Sequence, residues 1–386
     1  MFLSDLLVVF AVTAAVVFAF GRARVPSVIG LLVSGVLVGP YGLSLVADVE
    51  SVKLLAEIGV VVLLFTVGLE FSMSRLLVML PLMARIGLPQ IVGTTAIVTA
   101  ATWWYLGSLP QAIFAGLLVA MSSTAIVLKL LADRGETGSP QGRIAVAILL
   151  LQDLLVVVAM LAVPMLADAA GVTPPAGSSA NPASSPHDPP LFANPLAAVA
   201  AGLAVVAGLL LAGRRFVPAV LHEVVRLRNR ELFLITIVLI CLGTAAITAK
   251  VGLSLALGAF LAGLSLSESE YGHQAFTEVL PFRDTLASLF FVSVGMLLDI
   301  RFLAANAGLV AATVAAIFVA KTLVTAIPAR LAGFPLRTSL LAGAAIAQVG
   351  EFSFVLGSRG AEVGLLDADD YQTFLAAAVM TMAATP

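Results

Sequence analysis

Ile144-Ala-Val-Ala-Ile-Leu-Leu-Leu-Gln152-Asp153-Leu-Leu-Val-Val-Val-Ala-Met-Leu-Ala-Val-Pro164 is the stretch that decides the fold. It is an apolar run of about 20 residues, the length that crosses a bilayer as a helix. An amide and an acid sit near its centre. A carboxyl group at that depth costs roughly 2.5–3.5 kcal/mol on insertion scales, so its presence points to an ion or proton pathway. The plainer alternative is an acid that is only paired or protonated inside a helix bundle.

Composition extends the same reading to the whole chain. Of 386 residues, 61% are hydrophobic and 11% charged, and the mean hydropathy is +1.11. Soluble domains carry about 25% charged residues, so this is an integral membrane protein. Its apolar runs recur every 25–30 residues, which is helical spacing and not the weak alternation of a barrel. The single cysteine, Cys241, lies inside an apolar run and excludes an intrachain disulfide. A net charge of −2 gives no reason to expect a nucleic acid partner. The first run lacks a basic leader and an Ala-x-Ala site, so it reads as a retained span and not a signal peptide.

Thirteen spans are predicted, at 4–20, 27–42, 53–71, 88–106, 110–131, 143–166, 195–213, 231–249, 252–266, 281–298, 303–330, 337–358 and 370–386. Residues 73–86 read as a short interfacial helix before the fourth span. The Pro/Ser/Asn/Gly-rich stretch 168–194 reads as a flexible outer loop. With the N-terminus outside, 15 Lys and Arg fall in inner connections and 4 in outer ones, with Lys321 left inside a span. The positive-inside rule expects this bias, so the predicted topology is N-out and C-in.

The sequence also contains a faint repeat. Ala115-Gly-Leu-Leu-Val-Ala-Met-Ser-Ser-Thr124 aligns with Ala342-Gly-Ala-Ala-Ile-Ala-Gln-Val-Gly-Glu351 at an offset of 227. Val67-Gly-Leu aligns with Val294-Gly-Met at the same offset, and the pattern at Ser34-Gly35 with Ala262-Gly263 at 228. Matched spans lie seven apart, an odd number, so they run in opposite directions. That predicts two inverted six-helix repeats joined by a linker helix, with a site near the midplane where two crossed helices are discontinuous. Met121-Ser122-Ser123-Thr124 and Gln348-Val349-Gly350-Glu351 are the predicted breaks. Ser123 and Thr124 join Gln152 and Asp153 as cation-binding candidates, whether the cation is K⁺ or Na⁺. For Ser122 and Ser123 the competing reading is close helix packing. Lys321, Glu351 and Gln348 are supporting candidates. Lys321 makes the site asymmetric, an ammonium in one half against a carboxylate in the other; the plainer alternative is that it only neutralises helix C-terminal dipoles or Asp153, or snorkels. Glu351 compensates crossed helix ends more readily than it ligates an ion. No histidine falls near the midplane.

Four motifs together resemble the Kef-type potassium:proton antiporters of the second monovalent cation:proton antiporter family. They are Gln152-Asp153, Leu257-Gly-Ala-Phe-Leu-Ala-Gly263 followed by Ser267-Glu-Ser-Glu270, Phe290-Phe-Val-Ser-Val-Gly-Met296, and Ala347-Gln-Val-Gly-Glu-Phe352. The resemblance spans essentially the whole chain. It implies a homodimer in the bacterial inner membrane. It implies a dimerisation domain made of residues 1–72 and 231–299, an ion-transporting core made of 73–167 and 300–386, and a linker helix within 195–230. It also implies Asp153 as the shared proton and cation carboxylate, Gln152 as its neighbour, Thr124 as a crossover residue, and Lys321 as the lysine opposite the acidic pair. Electrogenic sodium/proton relatives carry two adjacent aspartates where this chain has Gln152-Asp153. One acid therefore remains to exchange, and a salt bridge to Lys321 is not to be carried over.

The expected function is elevator-like exchange of K⁺ for H⁺ through one buried carboxylate. The alternatives are an Na⁺/H⁺ antiporter and a ligand-gated potassium efflux channel. No Thr-Val-Gly-Tyr-Gly filter supports the channel. No enzyme activity and no cofactor are expected; K⁺ or Na⁺ and H⁺ are substrates, and membrane lipid surrounds the spans. No Gly-x-Gly-x-x-Gly follows a strand, so a nucleotide-binding regulatory domain of the Kef kind is expected C-terminal to this chain, not within it.

Overall fold

The computed structural model describes residues 2–23, 25–46, 48–70, 73–172, 195–250, 255–267 and 269–385. Among them the regular structure is entirely helical. This is the outcome expected where lipid cannot satisfy a free backbone group. In chain order the helices are α1 (Phe2–Arg22), α2 (Ser27–Val38), α3 (Val49–Glu70), α4 (Met73–Leu82), α5 (Leu88–Leu106), α6 (Leu109–Ala120), α7 (Thr124–Asp133), α8 (Pro140–Ala170), α9 (Pro195–Arg226), α10 (Arg230–Lys250), α11 (Leu255–Ser267), α12 (Gly272–Met296), α13 (Ile300–Ala305), α14 (Ala307–Leu331), α15 (Leu336–Ala345), α16 (Glu351–Glu362) and α17 (Ala368–Ala384). Among the described residues, seven helical stretches are long and apolar enough to cross a membrane, while α2 and α11 are apolar but shorter. Most of the predicted outer loop 168–194 lies outside the described residues. α8 ends at its start, where Gly171 adopts φ 64° and caps the helix with its backbone N–H.

The predicted interfacial helix at 73–86 is not separate from the span that follows. A π-helical turn, Met83–Gly87, joins α4 to α5, and Leu77–Leu106 forms one apolar stretch of 30 residues. Pro81 and Pro89 each remove a backbone donor. The wider turn between them absorbs one extra residue, with the Leu88 N–H reaching back to the Met83 carbonyl.

The chain forms two compact units. One comprises Met1–Val49, Leu77–Ser178 and Phe291–Pro386; the other comprises Glu50–Leu76 and Ser179–Phe290. In the first, a core of Ile86, Val127, Leu131, Ile144, Ile148, Ala329, Ala342 and Ile346 binds the π-turn, α7, α8, α14 and α15. In the second, Phe65, Leu69, Val217, Leu221, Phe233 and Ile237 hold α3, α9 and α10 together.

Close approaches between helices rest on glycine, as expected where small residues, and not apolar burial, drive packing in lipid. In the first unit a Cβ on Gly35 would overlap the Val292 carbonyl oxygen, and one on Gly295 would overlap that of Leu32. In the second unit Gly68 abuts the Phe260 carbonyl and Gly263 that of Phe65 in the same way. Gly116 against Thr95 and Gly343 against Thr322 form another such pair, both within the first unit. Gly295→Val is expected to destabilise the protein by on the order of 1–3 kcal/mol through overpacking. A fall in apparent Tm in detergent would read it; an unchanged Tm would show that α2 and α12 part without cost.

Candidate functional site

Two helices of the first unit are interrupted in their middles. α6 ends at Ala120, Met121 and Ser123 are extended, and α7 starts at Thr124. α15 ends at Ala345 and α16 starts at Glu351, with Gly350 extended before it. Each interruption exposes peptide donors and acceptors that helices normally satisfy internally. In a buried setting each orphan group costs roughly 1–3 kcal/mol, so the partners of these groups define the site.

At the first break, Gln152 on α8 does most of this. Its Oε1 accepts the Ser122 N–H at 2.8 Å, and its Nε2 donates to the Ala120 carbonyl and to Gln90 Oε1, both at 2.9 Å. The Ser123 hydroxyl caps α7 by accepting the Ile126 N–H at 3.3 Å. At the second break, the Val349 N–H donates to Thr381 Oγ1 on α17 at 3.1 Å. Ser353 Oγ donates to the Leu118 carbonyl at 2.7 Å, which ties α16 to the last turn of α6.

The two breaks meet. Ser122 Oγ donates to the Ile346 carbonyl at 2.8 Å, and a Cβ on Gly350 would press on the Ser122 carbonyl. Between them lies Lys321 of α14, with no exposed surface at all. Its Nζ donates to the Met121 carbonyl at 2.8 Å, Ser122 Oγ at 2.9 Å and the Gln348 carbonyl at 2.7 Å. An ammonium has three protons, and these three oxygens take them. Lys321 therefore acts on the negative ends of α6 and α15.

Asp153 sits one residue beyond Gln152 on α8, with 7% of its surface exposed. Thr124 Oγ1 donates to Asp153 Oδ1 at 3.2 Å and lies 3.5 Å from Oδ2. Since Thr124 is the first residue of α7, the carboxylate stands at a helix N-terminus, where the peptide dipoles favour negative charge. The Asp153 carboxylate and the Thr124 hydroxyl are hard oxygens of the kind that takes the place of water around an alkali ion, whereas the carbonyls of Met121, Ala120, Ile346 and Gln348 are taken by Lys321, Gln152 and Ser122. Among the described residues no three His, Cys, Asp or Glu side chains cluster as a metal-binding group.

The candidates Gln152, Asp153, Ser123, Thr124, Lys321, Gln348 and Glu351 thus fall in one region. They do different things there. Ser123 caps α7, whereas Ser122, not among the cation candidates, links both breaks to Lys321. Glu351 opens α16 as its first residue and is buried, an acid at a positive helix end. Gln348 contributes its carbonyl to Lys321, and its side-chain Oε1 lies 3.5 Å from Thr385 Oγ1. Gln90 and Thr381 carry no charge and interrupt no sequence pattern, so nothing in the chain alone marks them; the structure adds both.

Residues 7–386 match the family described as sodium/hydrogen exchanger, transmembrane. The chain is 36% identical over 383 residues to the chloroplastic K(+) efflux antiporter 2 of Arabidopsis thaliana, covering 98% of this chain and 32% of that protein. It is 33% identical over 392 residues to K(+) efflux antiporter 5 of the same plant, covering 100% of this chain and 65% of that one. It therefore spans about a third of the first relative and under two thirds of the second. Its fold is similar to that of the sodium proton antiporter MjNhaP1 from Methanocaldococcus jannaschii at pH 8, with a TM-score of 0.68 over 99% of this chain and 94% of that one at 15% identity.

Proposed function

Because this chain belongs to the sodium/hydrogen exchanger transmembrane family, we propose that it exchanges K⁺ for H⁺ by alternating access, with Asp153 as the one carboxyl group that both ions share. The observation that carries this reading is Asp153 itself, buried beside the N-terminus of α7, bonded to Thr124, and preceded along α8 by an amide instead of a second acid. A proton or a cation on Asp153 each removes the bare charge from the apolar region, and Thr124 at the start of α7 holds the group in place. Proton and cation then compete for one position. An empty carboxylate crosses the apolar region only at a large charge penalty, so the site crosses when filled, and one proton moves against one cation.

The potassium assignment is supported by the printed names of the Arabidopsis relatives, and a sodium reading by that of the archaeal structural neighbour. Proton release from purified protein on adding either salt separates them. Release with K⁺ at lower concentration than with Na⁺ is the expected result; the reverse order makes the protein a sodium exchanger.

We further read the fold as thirteen spans in two inverted repeats, N-out and C-in, assembled as a homodimer. Residues 1–72 and 231–299 form the dimer contact, and 73–167 and 300–386 form the core that carries the ions. The repeat is supported by matched contacts. Gly68 and Gly295 are 227 residues apart, as are Thr95 and Thr322, and Gly116 and Gly343; each glycine makes the same backbone approach as its mate. Ser122 and Val349 share that offset, and each gives its N–H to a side chain of a later helix, α8 or α17.

A further inference from the structure

Gln90 has no part in the exchange chemistry above, yet it is wholly buried against the first break. Gln152 offers two donors and one acceptor, and its surroundings offer the complement. They are Gln90 Oε1, the Ala120 carbonyl and the Ser122 N–H. An amide satisfies all three. A carboxylate at 152 would bring its oxygens against two other oxygens with no proton between them. Gln90 is itself oriented by Thr94, whose Oγ1 lies 3.2 Å from Gln90 Nε2.

The backbone aims Gln90 as well. The π-turn Met83–Gly87 inserts one residue just before it, which rotates Gln90 by about 100° from where an uninterrupted α-helix would put it. Such turns recur at functional sites. Gly87 lets the turn lie close to α8, since a Cβ there would stand 3.0 Å from Leu151 Cδ2.

We propose that Gln90 is a positioning residue that holds position 152 as an oriented, uncharged amide. Asp153 then meets the cation as the only acid of the pair, and the Met121–Ser123 break keeps its register with Thr124. The proposal rests on exchange at Asp153. Gln90 acts through Gln152: without the Gln90 oxygen, one N–H of Gln152 is buried with no acceptor, the amide is free to turn over, and the Ser122 N–H loses its fixed partner.

The test compares wild type, Gln90→Leu and Gln90→Glu in proteoliposomes, titrating K⁺ against proton flux at several pH values, with thermal stability measured alongside. Gln90→Leu is expected to raise the half-saturating K⁺ concentration about tenfold, the equivalent of one buried hydrogen-bond partner, with the maximal rate largely kept. In its protonated form Gln90→Glu retains a carbonyl for Gln152 and a hydroxyl for Thr94. It should match wild type at acid pH and depart from it as rising pH ionises the new acid. Wild-type half-saturation in Gln90→Leu would overturn the proposal. So would equal losses of rate and stability in both variants with no difference in pH profile, which would make Gln90 core filling. Absence of exchange in wild-type vesicles would overturn the exchange reading itself, and this role with it.

Discussion

Proteoliposomes carrying Asp153→Asn are expected to show no K⁺-driven proton movement, a loss of at least about 100-fold against wild type, since the carboxyl group proposed to take up and give back the proton is gone. The substitution is nearly isosteric. The new amide still accepts from Thr124 through its oxygen, so the break, the helix ends and Lys321 keep their partners, and Tm should change little. That separation makes the experiment decisive: activity falls and stability does not. Asp153→Glu should restore part of the flux, because the carboxyl group returns at a shifted position. Thr124→Val removes the hydroxyl that contacts Asp153 at 3.2 Å and should weaken cation binding without abolishing exchange. pH-coupled flux persisting in Asp153→Asn would refute the assignment, whatever the cation.

Lys321→Met should do the opposite, with stability as its main casualty. The ammonium is fully buried, and hydrogen bonds from a charged donor contribute about 1.5–3 kcal/mol each. Three are lost, leaving the Met121 and Gln348 carbonyls with no cation facing them. Removing the charge also recovers its desolvation cost, several kcal/mol per ion, so the net loss is about 2–4 kcal/mol. The two effects are comparable, and the sign is set by the carbonyls, which methionine cannot satisfy. Thermal unfolding in detergent reads it. A Tm equal to or above wild type would mean that the breaks hold without the lysine, and that Lys321 has some other task.

Much of this was legible in the chain because lipid makes polar groups conspicuous. Gln152-Asp153 stands out at the centre of an apolar run, and Lys321 in another, since each charge there is expensive. The breaks were legible because Ser, Thr, Gly and Gln interrupt two spans at matching places. What stayed hidden has equally physical reasons. Gln90 is a neutral amide among apolar residues, with no insertion penalty large enough to flag it. The π-turn that aims it has no sequence signature beyond the prolines on either side, so 73–86 read as a separate helix. Ser122 and Ser123 are neighbours of the same type. Only the backbone angles decide that one caps a helix and the other joins two breaks.

The lysine's three bonds bear on how the region is able to rearrange. A single nitrogen is shared by two peptides 227 residues apart in the chain, so neither broken segment is able to shift by itself without tearing a proton contact from the other. The junction behaves as a rivet: under the exchange proposed above, the motion takes both strips of backbone along as one solid piece, and only the occupant of the carboxyl group changes.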